Sequence, residues 1–279
     1  MSSSRYTRRT FGREIVLVLG AAVFCVPFYL LVTGSLKSIR EVLLSPLSLP
    51  TSLQFENYSD AWAGTTTLGL GHAFVNTVIM TLGSVALLIG FGSLAAYVLA
   101  RRQSRLSTGL YLFFVAGIIV PFQLGVIPIY VVMRDLGLVG TYQGMIILYT
   151  ALLMPLTVFL YTGFIRALPR EYEEAAQVDG ATLMRTFFRV VFPLMRPVTA
   201  TVALLTGIII WNEFFVPLIF LTGSDKQPLN VAIYSFVGEN LTQWNVIFAA
   251  VLISLAPIAA FYIFAQKGLI KGFAGGIRG

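Results

Sequence analysis

Six apolar runs divide this chain, at approximately 15–35, 74–100, 109–132, 142–165, 198–222 and 245–266. Each holds about the 20 residues that an α-helix needs to cross a bilayer core. None shows the two-residue alternation of a barrel strand, so helices are the one way to satisfy their backbone in lipid. The composition agrees: 57% of the residues are hydrophobic and only 11% charged, where a soluble domain carries about 25% charged residues. The expected architecture is an all-α polytopic membrane protein, with six transmembrane helices in a single domain over 1–279. The first run follows Arg5, Arg8, Arg9 and Arg13. It is long and lacks an A-x-A-like cleavage site, so it reads as a retained anchor and not as a signal peptide.

The basic residues orient the spans, because Lys and Arg stay on the cytoplasmic side. One set of segments holds fifteen of them, in the N-terminal arm, at Arg101, Arg102 and Arg105, at Arg166, Arg170, Arg185, Arg189 and Arg196, and at Lys267, Lys271 and Arg278. The alternate set holds four, Lys37, Arg40, Arg134 and Lys226. Both termini and the segment 166–197 are therefore expected in the cytoplasm. The net charge of +7 is explained by orientation and calls for no nucleic acid. The segments 36–73 and 223–244 become outer connections able to touch an external partner.

Several chemistries are excluded. One Cys and one His allow neither an intrachain disulfide nor a Cys/His metal centre. No G-x-x-x-x-G-K-[ST] phosphate loop occurs, so the chain has no visible ATP site of its own. Prolines fall inside the spans at Pro27, Pro121, Pro128, Pro155, Pro217 and Pro257, where each removes a backbone donor and favours a kink. Gly92, Ala96 and Ala100 recur every four residues, a spacing for close helix contact. Glu213 is the one acidic residue deep in a span. A charge there costs roughly 2.5–3.5 kcal/mol on insertion scales, so it should face a cavity or a partner. With Trp211 and Asn212 beside it, and with Asn76 and Gln123, it forms the candidate substrate-pathway set. Packing hydrogen bonds are the alternative role for each.

The densest charge lies between the fourth and fifth runs. Pro169 precedes Glu171, Glu173 and Glu174, which suits a helix start where the dipole favours negative charge. Ala175 and Ala176 keep that helix slim, and Asp179-Gly180 supplies a stop. A second, amphipathic helix is expected over about 182–192, before Pro193. The pattern Glu174-Ala175-Ala176, three residues, Gly180, nine residues, Val190, one residue, Phe192-Pro193 closely resembles the EAA coupling loop of ABC-importer permeases. Phe192 and Val190 stand where that family often has Leu and Ile. Asn76-Thr77, the stretch Leu136 to Thr141, Trp211 to Phe214, and the end from Gly268 to Gly279 extend the resemblance over nearly the whole chain. They are similar to the smaller permease subunit of maltose-type carbohydrate importers.

The resemblance implies a type I ABC importer permease fold and a chain that is not an enzyme. It implies a second homologous permease, two ATP-binding subunits that carry ATP and Mg, and an extracytoplasmic sugar-binding protein, all in a bacterial or archaeal cytoplasmic (inner) membrane in contact with lipid. No cofactor would be bound by this chain. Glu174, Ala175, Ala176, Asp179, Gly180 and Pro193 would couple it to the ATPase, and Gly275 and Gly276 would offer a C-terminal contact. A non-sugar cargo such as polyamine, phosphate or glycerol phosphate is the nearest alternative. A self-contained channel or carrier is more remote, lacking a chain of intramembrane ionisable residues and an evident repeat.

Overall fold

The computed structural model describes residues 8–64, 69–102, 104–237 and 243–275. Every regular element among them is helical: α1 (Arg8–Ser35), α2 (Ile39–Leu44), α3 (Glu56–Ala63), α4 (Leu70–Arg101), α5 (Arg105–Ile119), α6 (Val126–Asp135), α7 (Tyr142–Ala167), α8 (Glu171–Val178), α9 (Leu183–Leu194), α10 (Arg196–Asn212), α11 (Phe215–Phe220), α12 (Leu229–Ser235) and α13 (Trp244–Gly275). The chain divides into two compact units, 1–71 with 232–256, and 72–231 with 257–279.

Among the described residues three helices are individually long and apolar enough to cross a bilayer, at Phe11–Ser35, Leu70–Arg101 and Tyr142–Ala167, and two bent pairs bring the number to as many as five. The run 109–132, read as one span, is two helices that turn by 95°. Pro121 explains the break: it lacks an N–H and holds Val120 extended, at ψ 118. The run 198–222 is likewise interrupted. Helix α10 ends at Asn212, Glu213 is extended at ψ 133, and α11 restarts at Phe215. Pro217 cannot donate to the Glu213 carbonyl four residues earlier. That carbonyl takes a hydrogen bond from Asn230 Nδ2 at 3.4 Å instead, and the Trp211 carbonyl takes one from the same amide at 3.1 Å.

In the first unit, the connection after α1 is tightly bonded. Ser38 and Glu41 form a reciprocal cap at the start of α2. Glu41 Oε1 also accepts from the Thr51 N–H at 3.1 Å and from its hydroxyl. The fully buried Lys37 ammonium donates to the Ser45 and Pro46 carbonyls at 2.8 and 3.0 Å. Asn57 Nδ2 donates to the Ser35 and Lys37 carbonyls, and Asn57 Oδ1 accepts from Asn245 at 2.6 Å. The sequence reading of 36–73 as an outer connection missed this bonding: the Ser38–Glu41 cap is a local signal it did not use, and Asn57 and Asn245 lie 188 residues apart.

The second unit is built on α4 and α7, which pack along their length. A Cβ on Gly92 would overlap the Thr157 methyl, and Ala96 is fully buried, so the small-residue ladder of α4 is the surface that lets α7 approach. One apolar cluster joins Met80, Leu88, Met145, Leu148, Tyr149, Ile210 and Phe220; a second, around Tyr97, Tyr161, Ile165, Phe187 and Val191, holds the hairpin described next.

Candidate coupling hairpin and pathway cavity

Helices α8 and α9 form a hairpin. Helix α8 starts at Glu171, two residues past Pro169, with Arg170 at its N-cap. It stops in a two-bond cap: the Gly180 N–H donates to the Gln177 carbonyl at 3.0 Å, and the Ala181 N–H to the Ala176 carbonyl at 2.9 Å. Gly180 sits at φ +79°, which requires glycine more than it requires space, since nothing lies within 4 Å of its missing Cβ. Thr182 then caps α9 through the Arg185 N–H. A π-helical turn over Phe187–Val191 places both Phe187 and Val191 in the buried cluster. Pro193 lies inside the last turn of α9 and not beyond its end.

The hairpin is tied to the bundle by a residue outside the expected coupling set. Glu173 is 7% exposed. Its Oε2 accepts from the Tyr97 hydroxyl at 2.9 Å, and its Oε1 accepts from Arg101 Nε at 2.7 Å and from the terminal guanidinium nitrogen at 2.6 Å. The same guanidinium donates to the Leu168 carbonyl at 3.1 Å. Arg101 is therefore a fork between the end of α4 and both sides of the α7–α8 junction. Two of three neighbouring glutamates, 171 and 174, face outward. Sequence alone does not distinguish them, although Glu173 is two residues, about 200° of helix, from Glu171.

Glu174 and Ala175 are exposed and Ala176 partly so, with Asp179 and Gly180 exposed at the turn. Around them lie large apolar side chains open to solvent: Tyr172, Val178 (88% exposed), Leu183, Met184 and Phe188. A regular helical period would put Leu183 on one apolar face with Phe187, Val190 and Val191. In the structure Phe187 and Val191 turn inward and Leu183 outward, because the π turn changes the register of the buried face. Gly275 ends α13, and Gly276 lies outside the described residues.

Of the pathway candidates, two come together. Gln123 and Glu213 line a cavity of about 750 Å³ with Tyr149. Glu213 Oε1 caps α11, accepting from the Phe215 and Val216 N–H groups at 2.9 and 3.2 Å. It therefore sits at a helix break and not deep in a continuous span. The other three do not line that cavity. Asn76 is fully buried; its Nδ2 donates to the Asp225 and Gln227 carbonyls at 3.0 Å, and its Oδ1 accepts from the Tyr142 hydroxyl at 2.5 Å. Trp211 stands edge-on to Phe74, with centroids 5.8 Å apart, and Asn212 Nδ2 donates back to the Ile208 carbonyl at 2.8 Å.

Comparison with known proteins bears on this arrangement. Residues 88–274 match the family described as binding-protein-dependent transport system inner membrane component. The chain is 40% identical to the melibiose/raffinose/stachyose import permease protein MelC of Bacillus subtilis (strain 168), over 96% of this chain and 97% of that one. It is 33% identical to the diacetylchitobiose uptake system permease protein NgcG of Streptomyces coelicolor (strain ATCC BAA-471 / A3(2) / M145), over 90% and 83%. Among solved structures, a chain of a bacterial ABC transporter involved in the import of the acidic polysaccharide alginate superposes with a TM-score of 0.82, covering 95% of this chain and 99% of that chain. At 24% identity that likeness is one of fold.

Proposed function

This chain belongs to the family of binding-protein-dependent transport system inner membrane components, and on that premise we propose that it is the transmembrane subunit of an ATP-driven importer of di- and oligosaccharides. It is a multi-pass permease that works within a transporter complex, not an enzyme. The reading of its cargo rests on relatives that are named for melibiose, raffinose and stachyose, for diacetylchitobiose, and for multiple sugars.

The observation that carries the coupling role is the hairpin's exposed apolar tip, Val178, Leu183, Met184 and Phe188, on a support tied down by Glu173 and Phe187. Solvent-facing side chains of this size in one polar loop mark a protein contact. We assign that contact to a cytoplasmic ATP-binding subunit. Glu174 meets a basic group there, Ala175 and Ala176 allow close approach, and Asp179-Gly180 reverses the chain. The remaining partners are a second permease, a second ATP-binding subunit and an extracytoplasmic sugar-binding protein, in the inner membrane of a bacterium or archaeon. The six crossings comprise α1, α4, the bent pair of α5 and α6, α7, α10 with α11, and α13. The cavity beside Glu213 is this chain's share of the pathway. Glu213 Oε2 and the Gln123 amide supply hydrogen-bonding groups for sugar hydroxyls.

The test is ATP hydrolysis by the reconstituted complex with its binding protein and a panel of melibiose, raffinose, diacetylchitobiose, spermidine and glycerol 3-phosphate. Stimulation by a sugar, lost in Glu174→Ala, supports the proposal. Stimulation by spermidine or glycerol 3-phosphate alone refutes the sugar cargo and leaves the importer; solute movement by this chain without an ATPase refutes both.

A further inference from the structure

The ends of α4, α5 and α7 that carry Arg102, Arg105 and Arg166, together with Arg170, enclose a pocket of about 830 Å³. Ser104 and Thr108 add hydroxyls to its wall. Among the described residues no carboxylate lines it, and Arg101, also in the wall, is already neutralised by Glu173. Four other arginines thus line the recess with no carboxylate among its described lining residues, although Arg102 and Arg170 also border the adjoining recess that holds Glu173 and Glu174. Such convergence carries electrostatic repulsion that an anion would relieve. One of the four is held in place: the Arg166 guanidinium lies 4.5 Å from the centroid of the Tyr111 ring, a cation–π contact that fixes α7 to α5.

The pocket continues into an apolar surface. On α5, Leu106 is 73% and Phe113 74% exposed, with Leu110 and Leu112 also open, and Leu112 belongs to the pocket wall. A charged recess that passes into an exposed apolar helix face matches an amphiphile, with a phosphate at one end and acyl chains at the other. A free phosphate would use the arginines and leave the apolar half empty. We propose that this pocket is a binding site for an anionic phospholipid, whose phosphate is held by Arg102, Arg105, Arg166 and Arg170 and whose chains lie along α5. The site depends on the chain being a membrane permease and is independent of which solute it carries.

The test uses the purified permease–ATPase complex in detergent, stripped of lipid and titrated in native mass spectrometry with phosphatidylglycerol, phosphatidylcholine or inorganic phosphate. Wild type is expected to retain phosphatidylglycerol in preference to phosphatidylcholine and to show no saturating phosphate adduct. Arg105→Gln combined with Arg166→Gln should weaken the tightest phosphatidylglycerol adduct by about tenfold or more, the loss of one strong charge-assisted contact. Arg40→Gln combined with Arg134→Gln removes the same charge elsewhere and should leave it. Retention within about twofold of wild type by the pocket variant overturns the proposal. Equal retention of phosphatidylcholine does the same, and saturation by inorganic phosphate assigns the pocket to a soluble anion instead. Should the pocket variant fail to assemble, a Gly109→Cys probe in a Cys25→Ser background keeps the arginines intact. Phosphatidylglycerol, and not phosphatidylcholine, must then slow thiol labelling at 109, and equal labelling in both lipids also overturns the site.

Discussion

Glu173 and Glu174 are adjacent and chemically identical, yet their environments assign them opposite tasks. Removing the Glu173 carboxylate leaves Arg101, whose side chain is 14% exposed, without its charge partner. Loss of one member of a buried pair costs about 3–5 kcal/mol. Glu173→Ala should therefore lower the thermal midpoint of the detergent-solubilised complex strongly, and Glu174→Ala should leave it near wild type while abolishing substrate-stimulated ATP hydrolysis. Equal midpoints for the two would remove the distinction. Replacing Arg101 and Glu173 together by Leu should recover much of the lost stability, since an apolar pair has no desolvation cost. Gly180 offers a second residue-scale test. Any side chain there has room, so the penalty of Gly180→Val is that of the left-handed backbone, about 1–2 kcal/mol. Gly180→Asn should retain more of the coupled hydrolysis than Gly180→Val. Glu41 provides a pH dependence. The Thr51 hydroxyl, then the Thr51 and Ser38 backbone N–H groups, hold its carboxyl below the usual value of 4.5. A depressed folded pKa stabilises the 38–51 loop at pH values above 4.5 and ceases to do so as pH falls through the lower folded value. Amide exchange at Thr51 should accelerate across that acid window, and Thr51→Val should flatten the change.

At the scale of elements, the breaks matter as much as the helices. Proline is the visible cause at Val120-Pro121 and at Pro217, but the two sites are completed differently. Glu213 supplies its own carboxylate to the new helix start, and Asn230 supplies donors to the carbonyls left behind. Helix α4 shows the opposite behaviour. It bears no proline, keeps one direction through a π turn at Leu88–Gly92, and presents small residues to α7. Gly92→Leu should overpack that contact and cost about 1–3 kcal/mol, read as a lower unfolding midpoint. At the far end of α4, Asn76→Leu would leave two carbonyls of the 225–227 segment without their donor, at a cost of about 1–3 kcal/mol. Limited proteolysis should then cut that segment faster than in wild type, with no change in cleavage of the hairpin.

Across the whole molecule, the class of fold was legible because lipid imposes it: an apolar run of membrane length has few alternatives to a helix. The hairpin was legible for local reasons, since Gly180, Thr182 and the acidic first turn act within four residues of themselves. What sequence did not reveal depended on distance along the chain. Glu173 is bonded to Tyr97 and Arg101, 76 and 72 residues away, and Asn57 to Asn245, 188 residues away. The bends at 120–125 and 213–214 were foreshadowed by their prolines, but Pro27 and Pro155 stand inside helices that the structure keeps as single elements. A proline thus marks where a break is affordable and leaves neighbouring packing to decide whether it occurs. The single Cys25 makes sidedness simple to test. In a Cys25→Ser background, a thiol at position 181 should react only from the cytoplasm and one at position 226 only from outside; reaction of both from one side would refute the proposed topology.

Helix α4 holds the 225–229 segment through Asn76 and Thr77 near one end and the α8–α9 hairpin through Tyr97 and Arg101 at the other. The 25 residues from Asn76 to Arg101 correspond to about 37 Å of helix. Side-chain ties at both tips make this single element a connecting rod. A push delivered at the hairpin arrives at the 225–229 segment as motion of the same body, with no relay of rearranging side chains between them. A π turn stands at its middle, at Leu88–Gly92, and the helix keeps one direction through it.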